Sequence, residues 1–231
     1  MPALEPIKFL TNNCAVLTLT LSLTLALAAC GPDGQSGTGF IPEAQAAKPV
    51  PPPPPTQING WYAGPIIGTF NYSSITLMPP VGTQVLQFDL PVGQEVDALA
   101  KPTTTLPASL TISYELLGTV TPSGSATEPA LISIAFQRKG DNWSGKNAYQ
   151  QYRWYAQAAQ VLVPGTNTFT VDFTSGAWSD VYGQPASAHP AEFAAAKANV
   201  ETVYITFGFS AGRMHGVLGP AHFNLLGAVF Q

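Results

Sequence analysis

Apolar and polar residues alternate with a period of two along most of the chain after residue 60. Five segments show this clearly, with apolar side chains on one face and mostly Gln, Asp, Glu, Thr, Ser or Tyr on the other: 86–90, 110–116, 132–136, 169–173 and 203–209. Weaker versions of the pattern occupy 66–70, 75–78, 152–155, 160–163 and 223–230. Because successive side chains of a β-strand point to opposite faces, the alternation predicts about ten strands with one face in a core.

One segment favours a helix instead. Residues 190–197 begin with Pro190, carry Glu192 in the first turn and Lys197 near the end, and are followed by Asn199. Proline and acid at the start of a helix and a basic residue at its end are typical. Clusters of Gly, Pro, Asn or Ser separate most strands, and helices do not alternate with them. Residues 59–231 are therefore predicted to be one all-β domain, an antiparallel β-sandwich or jelly roll with one short helix.

The first apolar run of the chain has a different character. It extends from Ala15 to Ala29, about the length of a signal-peptide core and short for a membrane span, and it ends in Leu27-Ala28-Ala29-Cys30. These four residues resemble the lipobox of bacterial lipoproteins. The resemblance implies a signal peptide over 1–29 and a lipidated Cys30 that binds the membrane. A buried helix or an uncleaved anchor fits less well, because Gly31-Pro32-Asp33-Gly34 follows at once.

The same resemblance bears on location. Gly31 follows the cysteine, where an Asp would imply retention in the inner membrane, so we expect an outer-membrane lipoprotein whose domain faces the periplasm or the cell exterior. Residues 30–58 are rich in Gly, Ser, Ala and Pro and include five consecutive prolines, Pro51 to Pro55. This composition predicts a disordered, Pro-rich linker with a stiff polyproline segment. The chain has two cysteines, Cys14 and Cys30, so none remains for a disulfide once the second is lipidated.

Charge excludes one class of partner. The chain carries 9 Lys and Arg against 13 Asp and Glu, a net charge of −4, and its basic residues form no extended stripe. Nucleic-acid binding depends on concentrated positive charge, so no nucleic-acid partner is expected.

Catalytic motifs are weak. Gly208-Phe209-Ser210-Ala211-Gly212 fits the Gly-x-Ser-x-Gly nucleophile elbow, but no helix pattern follows it and no acid occurs after Glu201. Five dispersed acids suggest no glycosidase pair by their spacing: Asp141, Asp172, Asp180, Glu192 and Glu201. We therefore expect a non-enzymatic protein without a cofactor.

Metal-ligand patterns are equally sparse. The chain has three histidines at no zinc-binding spacing, His189, His215 and His222. The last two flank residues 216–220, which are predicted to form a tight turn. A structural calcium ion around Asp141-Asn142 is one option that remains open, because carboxylate and amide oxygens suit that ion.

An aromatic cluster is the stronger signal. Five aromatic residues fall within thirteen positions, together with nearby basic residues; they are Trp143, Tyr149, Tyr152, Trp154 and Tyr155, with Arg138, Lys139, Lys146 and Arg153. Flat aromatic faces beside polar groups suit sugar rings, whereas alternate members such as Tyr152 and Trp154 could instead fill the core.

Two candidate binding sites follow. Trp143 lies in a predicted loop of Ser, Gly and Asn, so Trp143 and Tyr149 are the candidate stacking residues. Arg213 and His215, in a glycine-rich loop where a ligand can approach the backbone, are the alternative.

Residues 165–231 resemble a bacterial group of galactose-binding-domain-like jelly rolls, the architecture of many carbohydrate-binding modules. The stretches that carry the resemblance are 169–173, the Trp178-containing loop 178–183, 203–208 and the closing strand from Phe223. The resemblance implies the fold and ligand binding but no catalytic residue. We therefore expect an envelope-anchored lipoprotein with a non-catalytic binding domain and carbohydrate as a candidate ligand. The alternative is a structural or assembly lipoprotein that binds another envelope protein; a hydrolase would rest on the 208–212 match and the dispersed acids alone.

Overall fold

The structure, a computed structural model, describes residues 56–64, 75–173, 175–209 and 215–231. The chain divides into two compact units, Met1–Val50 and Pro51–Gln231, and every described residue belongs to the second. The predicted signal peptide, Cys30 and nearly all of the predicted linker lie outside the described residues, as does the predicted strand at 66–70. None of the helices in the described ranges is both long and apolar enough to cross a bilayer.

Strands dominate the described ranges. In chain order they are β1 (Tyr62–Gly64), β2 (Leu77–Met78), β3 (Leu86–Leu90), β4 (Glu95–Val96), β5 (Ala98–Pro102), β6 (Ser109–Gly118), β7 (Thr121–Pro122), β8 (Leu131–Arg138), β9 (Arg153–Ala156), β10 (Gln160–Val161), β11 (Gly165–Asp172), β12 (Trp178–Ser179), β13 (Val200–Gly208), β14 (Val217–Leu218) and β15 (Ala221–Phe230). The α-helix α1 spans Pro190–Ala198, and short 3-10 helices span Asn147–Gln151, Ser175–Ala177 and Ala186–Ala188.

The strands form two main antiparallel sheets. The larger has the order β1-β5-β13-β8-β9-β12, with β10 also paired to β8, and the smaller has the order β11-β6-β15-β3-β2. A small third antiparallel sheet has the order β4-β14-β7. The predicted all-β antiparallel β-sandwich with one short helix is confirmed.

Aromatic rings fill much of the core between the sheets. One group stacks Phe223 between Phe88 and Tyr114, at ring-centroid distances of 5.1 and 5.4 Å. A second group surrounds Phe136, and α1 contributes Phe193, whose ring lies 5.8 Å from that of Phe136. Such pairs add about 0.5–1.5 kcal/mol each to the free energy of burial. The helix is therefore held by one buried aromatic side chain set into the sandwich.

Most strand predictions in the described ranges match, whereas β5, which pairs with β1 and β13 in the larger sheet, was not predicted. The strand at 86–90 has the predicted bounds, and the predicted helix 190–197 extends to Ala198. The predicted tight turn at 216–220 is wrong in part, because Val217 and Leu218 form β14 between β4 and β7. β14 gains its hydrogen bonds from strands about a hundred residues away, so no local pattern signals it.

Candidate functional site

The outer face of the larger sheet carries a second apolar cluster. Strand pairing places Tyr204 opposite both Ala100 and Ala135, on the face away from the main core. The buried members of this outer cluster are Ala98, Ala100, Ala135, Tyr155 and Tyr204, and Tyr62, Trp143 and Val181 pack against them half-buried. Tyr204 thus lies between alanine side chains of the two neighbouring strands, and the other aromatic side chains of the cluster pack around this group.

The loop after β8 brings Trp143 to this face. Asp141 Oδ1 accepts a hydrogen bond from the Trp143 N–H at 3.0 Å, and Asn142 Oδ1 accepts one from the Ser144 N–H at 3.0 Å. Asp and Asn commonly fold the backbone in this way. Trp143 itself has φ of 63°, which is uncommon for a bulky side chain and requires support from its surroundings.

A buried ion pair supplies that support. Arg153 Nε lies 2.7 Å from Asp141 Oδ2, and the two side chains are only 6 % and 0 % exposed. Arg153 Nη2 also donates to the Trp143 carbonyl at 3.1 Å, and Gln137 Nε2 donates to Asp141 Oδ2 at 3.1 Å. Because β8 and β9 pair Gln137 with Arg153, the sheet register fixes both partners of Asp141. The loop is therefore clamped to the sheet.

The same network continues to the centre of the face. The Tyr204 hydroxyl donates to Gln137 Oε1. Burial, with smaller contributions from neighbouring groups, raises the pKa of Tyr204 well above its usual value. Tyr204 therefore stays neutral and acts as a hydrogen-bond donor at physiological pH.

Trp143 differs from the other three tryptophans of the chain. Trp61, Trp154 and Trp178 are 1 %, 0 % and 0 % exposed. The indole N–H groups of the last two donate to the carbonyls of Gln151 and Asp172, both at 2.9 Å. Trp143 is half-buried, and no described residue accepts a hydrogen bond from its indole.

The Trp143 ring is oriented by two neighbours. The Arg153 guanidinium lies 4.9 Å from the ring centroid, and Tyr204 packs edge-on at 6.2 Å. Part of the ring and its N–H donor thus remain for solvent or a ligand.

Tyr149 occupies a separate ring cluster. Its ring packs on Tyr152 at 4.9 Å, and the Arg138 guanidinium lies 4.6 Å from the Tyr152 ring. Trp143 and Tyr149 therefore have different ring partners, although both remain partly exposed. Of the predicted core alternatives, Trp154 is fully buried and Tyr152 is not.

The alternative site lies toward the other end of β13. Arg213 is outside the described residues, whereas His215 is exposed with its ring 6.1 Å from that of Phe209. Gly216, with φ of 94°, follows, and a Cβ at this position would lie 2.5 Å from Asp97 Oδ1 and from Glu95 Oε1. Only glycine fits there.

Glu95 and Asp97 form a carboxylate pair that the sequence reasoning missed. Burial, followed by the Glu95 charge and a side-chain hydrogen bond with Glu95, raises the pKa of Asp97 to about 7. Two close carboxylates behave in this way when they share a proton. The Glu-x-Asp spacing was the available signal, because residues two apart in an extended chain share a face.

In the described ranges, no group of three or more His, Cys, Asp or Glu residues could hold a metal ion. At Asp141, the predicted location for calcium, Oδ1 already accepts a hydrogen bond from the Trp143 N–H, and Oδ2 accepts one from Gln137 and forms the ion pair with Arg153.

Comparisons with known proteins add a distant similarity. No family model matches the chain, and no curated protein matches it. Among solved structures, the chain is similar to xylanase 10C (mutant E385A) from Cellvibrio japonicus in complex with xylopentaose. The identity is 17 %, the TM-score is 0.30, and the match covers 74 % of this chain and 28 % of that one. A likeness at this level carries no functional argument.

Proposed function

We propose that this protein is an envelope-anchored lipoprotein whose β-sandwich domain binds carbohydrate, without catalysis, at a surface centred on Trp143. The anchor rests on Leu27-Ala28-Ala29-Cys30 at the end of the first apolar run. The binding surface rests on one observation, the contrast between three core tryptophans and Trp143, which is partly exposed and has an indole N–H that no described residue accepts.

The chemistry of this surface suits a sugar. The apolar face of a pyranose ring packs on an indole, and the indole N–H can donate to a ring or hydroxyl oxygen. Lys146 is an exposed donor three residues from Trp143. Clamping by Asp141 and Arg153 holds the indole in place before the ligand arrives, which lowers the ordering cost of binding.

A protein partner has weaker support. The most exposed large apolar residues in the described ranges are spread over several elements: Val81, Val92, Leu117, Val161, Val163, Tyr182 and Val229. Single exposed apolar residues are normal on a protein surface, whereas a docking surface concentrates them in one patch.

A glycan array with the full chain in detergent micelles tests the proposal, followed by titration with the best glycan. Loss of aromatic stacking is worth about 1 kcal/mol, so Trp143→Ala should weaken binding about fivefold or more. Tyr182→Ala, which truncates an aromatic side chain that is 60 % exposed, is the matched control and should bind normally.

Stability must be measured alongside. Trp143 covers part of the outer cluster, so its truncation should lower the melting temperature by a few degrees, and binding is measured well below that temperature. Glycan binding that is equally strong in Trp143→Ala would contradict the proposed site. Absence of any glycan ligand would contradict the proposed function.

A further inference from the structure

The smaller sheet carries a row of four hydrogen-bonded polar side chains on its outer face. Asp89 on β3 lies 2.5 Å from His222 Nδ1 on β15, and His222 Nε2 lies 2.9 Å from Asn224 Oδ1. Asn224 Nδ2 donates to Glu115 Oε2 on β6 at 2.8 Å. The strand register places these residues side by side, with His222 opposite Asp89 and Asn224 opposite Glu115.

The Glu115 carboxylate, at one end of the row, fixes which groups donate and which accept. A carboxylate only accepts, so the Asn224 amide donates to Glu115 and turns its own oxygen toward His222. His222 Nε2 then donates to Asn224, and Nδ1 faces the Asp89 carboxylate. Both ring nitrogens of His222 therefore face oxygen atoms, Nδ1 that of Asp89 and Nε2 that of Asn224.

Asp89 also lines a surface hollow with a volume of about 330 Å³. The hollow is lined by Ile75, Thr76, Met78, Asp89, Pro91 and Gln94. The Asp89 side chain is 65 % exposed although His222 holds it in place. Its carboxylate can therefore accept hydrogen bonds from a ligand at a fixed position.

We propose that this hollow is a second binding site, for one neutral sugar unit. Hydroxyl groups of a sugar would donate to Asp89 and exchange hydrogen bonds with Thr76, while its C–H face would pack on Met78 and Pro91. The volume is near the lower end of the range of about 300–1,000 Å³ for small-molecule sites. An acidic sugar is disfavoured, because Asp89 and nearby Glu115 repel a negative charge.

Histidine-selective NMR of the full chain in micelles tests this site. The chain has three histidines, so ring-labelled protein gives three ring signals, and His222→Gln assigns the relevant one. D-glucose, D-galactose and N-acetylglucosamine should shift the His222 signal saturably, with dissociation constants of about 1–10 mM for ligands of this size. The His189 and His215 signals should stay in place, and D-glucuronate should shift His222 less than D-glucose.

Three variants complete the experiment. Asp89→Asn should weaken the binding of the neutral sugars about tenfold. Thr76→Val, which leaves the polar row intact, should weaken it about fivefold. Asp172→Asn changes an exposed carboxylate on β11 of the same sheet and should bind normally. The inference would be overturned if no neutral sugar shifted the His222 signal saturably. It would also be overturned if Asp89→Asn and Thr76→Val both bound the sugars as tightly as wild type. Trp143→Ala should leave this titration unchanged, which separates this site from the proposed function.

Discussion

The carboxylate pair Glu95–Asp97 predicts a pH-dependent stability that a single substitution should remove. The folded protein raises the pKa of Asp97 from 3.8 to about 7. Between those two values the folded state keeps a proton that the unfolded state has lost. The contribution of Asp97 to the free energy of unfolding is therefore greatest below about pH 4, and it is lost as the pH rises to about 7.

The magnitude follows from the size of the shift. One pKa unit corresponds to about 1.4 kcal/mol, so three units set an upper limit of about 4 kcal/mol. Asp97 is only half-buried, and solvent screening reduces this to about 1–2 kcal/mol. For a domain of this size each kcal/mol shifts the melting temperature by about 2–4 °C.

Urea unfolding between pH 4 and 8 measures the effect in wild type, Asp97→Asn and the exposed control Asp172→Asn. Asparagine cannot ionise and can still donate to Glu95, so Asp97→Asn should gain about 1–2 kcal/mol relative to wild type between pH 4 and 8. Asp172→Asn should follow the wild-type curve. Parallel curves for wild type and Asp97→Asn would refute the reasoning.

Three further changes test other parts of the structure. Gly216→Ala should lower the free energy of unfolding by more than about 2 kcal/mol, because it combines a left-handed backbone with a clash against Asp97 and Glu95. Gly82 has φ of 66° and nothing within 4 Å of its added Cβ, so Gly82→Ala should lose only about 1–2 kcal/mol for the backbone. Equal losses in the two variants would contradict this. Asp141→Asn should cost about 3 kcal/mol in chemical denaturation, because it leaves Arg153 buried without its countercharge, and a loss below about 1 kcal/mol would mean that the clamp contributes little. Cys30→Ala should move the protein from the membrane to the soluble fraction, since stable anchoring needs the acyl chains, and unchanged fractionation would rule out the lipid anchor.

Local pattern was sufficient for β6 because its burial alternates. In β6, Leu110, Ile112, Tyr114 and Leu116 are buried and the residues between them are more exposed, as a period of two requires. β8 is buried along almost its whole length, including Ser133, Ala135 and Gln137 on its outer face. That burial depends on neighbours such as the Trp143 loop, which the sequence of β8 does not specify.

The candidate sites were only partly predictable for the same reason. The Asp-Asn-Trp-Ser-Gly stretch indicated a loop with an accessible Trp143, but its clamp depends on Arg153, which the β8–β9 register supplies. Gly216 meets Glu95 and Asp97 because Val217 pairs with Val96 across more than a hundred residues. The contact between Asp89 and His222 spans 133 positions. Pairings at such separations are tertiary properties of the fold.

The most direct test of the central claim is the intrinsic fluorescence of the full chain during titration with its best array glycan. Trp143 is partly exposed and the other three tryptophans are buried, so Trp143 should account for most quenching by acrylamide. A bound glycan stacked on the indole should protect the fluorescence from acrylamide, and Trp143→Phe should lose both the quenchable component and the protection. Glycan binding without any change in the Trp143 signal would contradict the account.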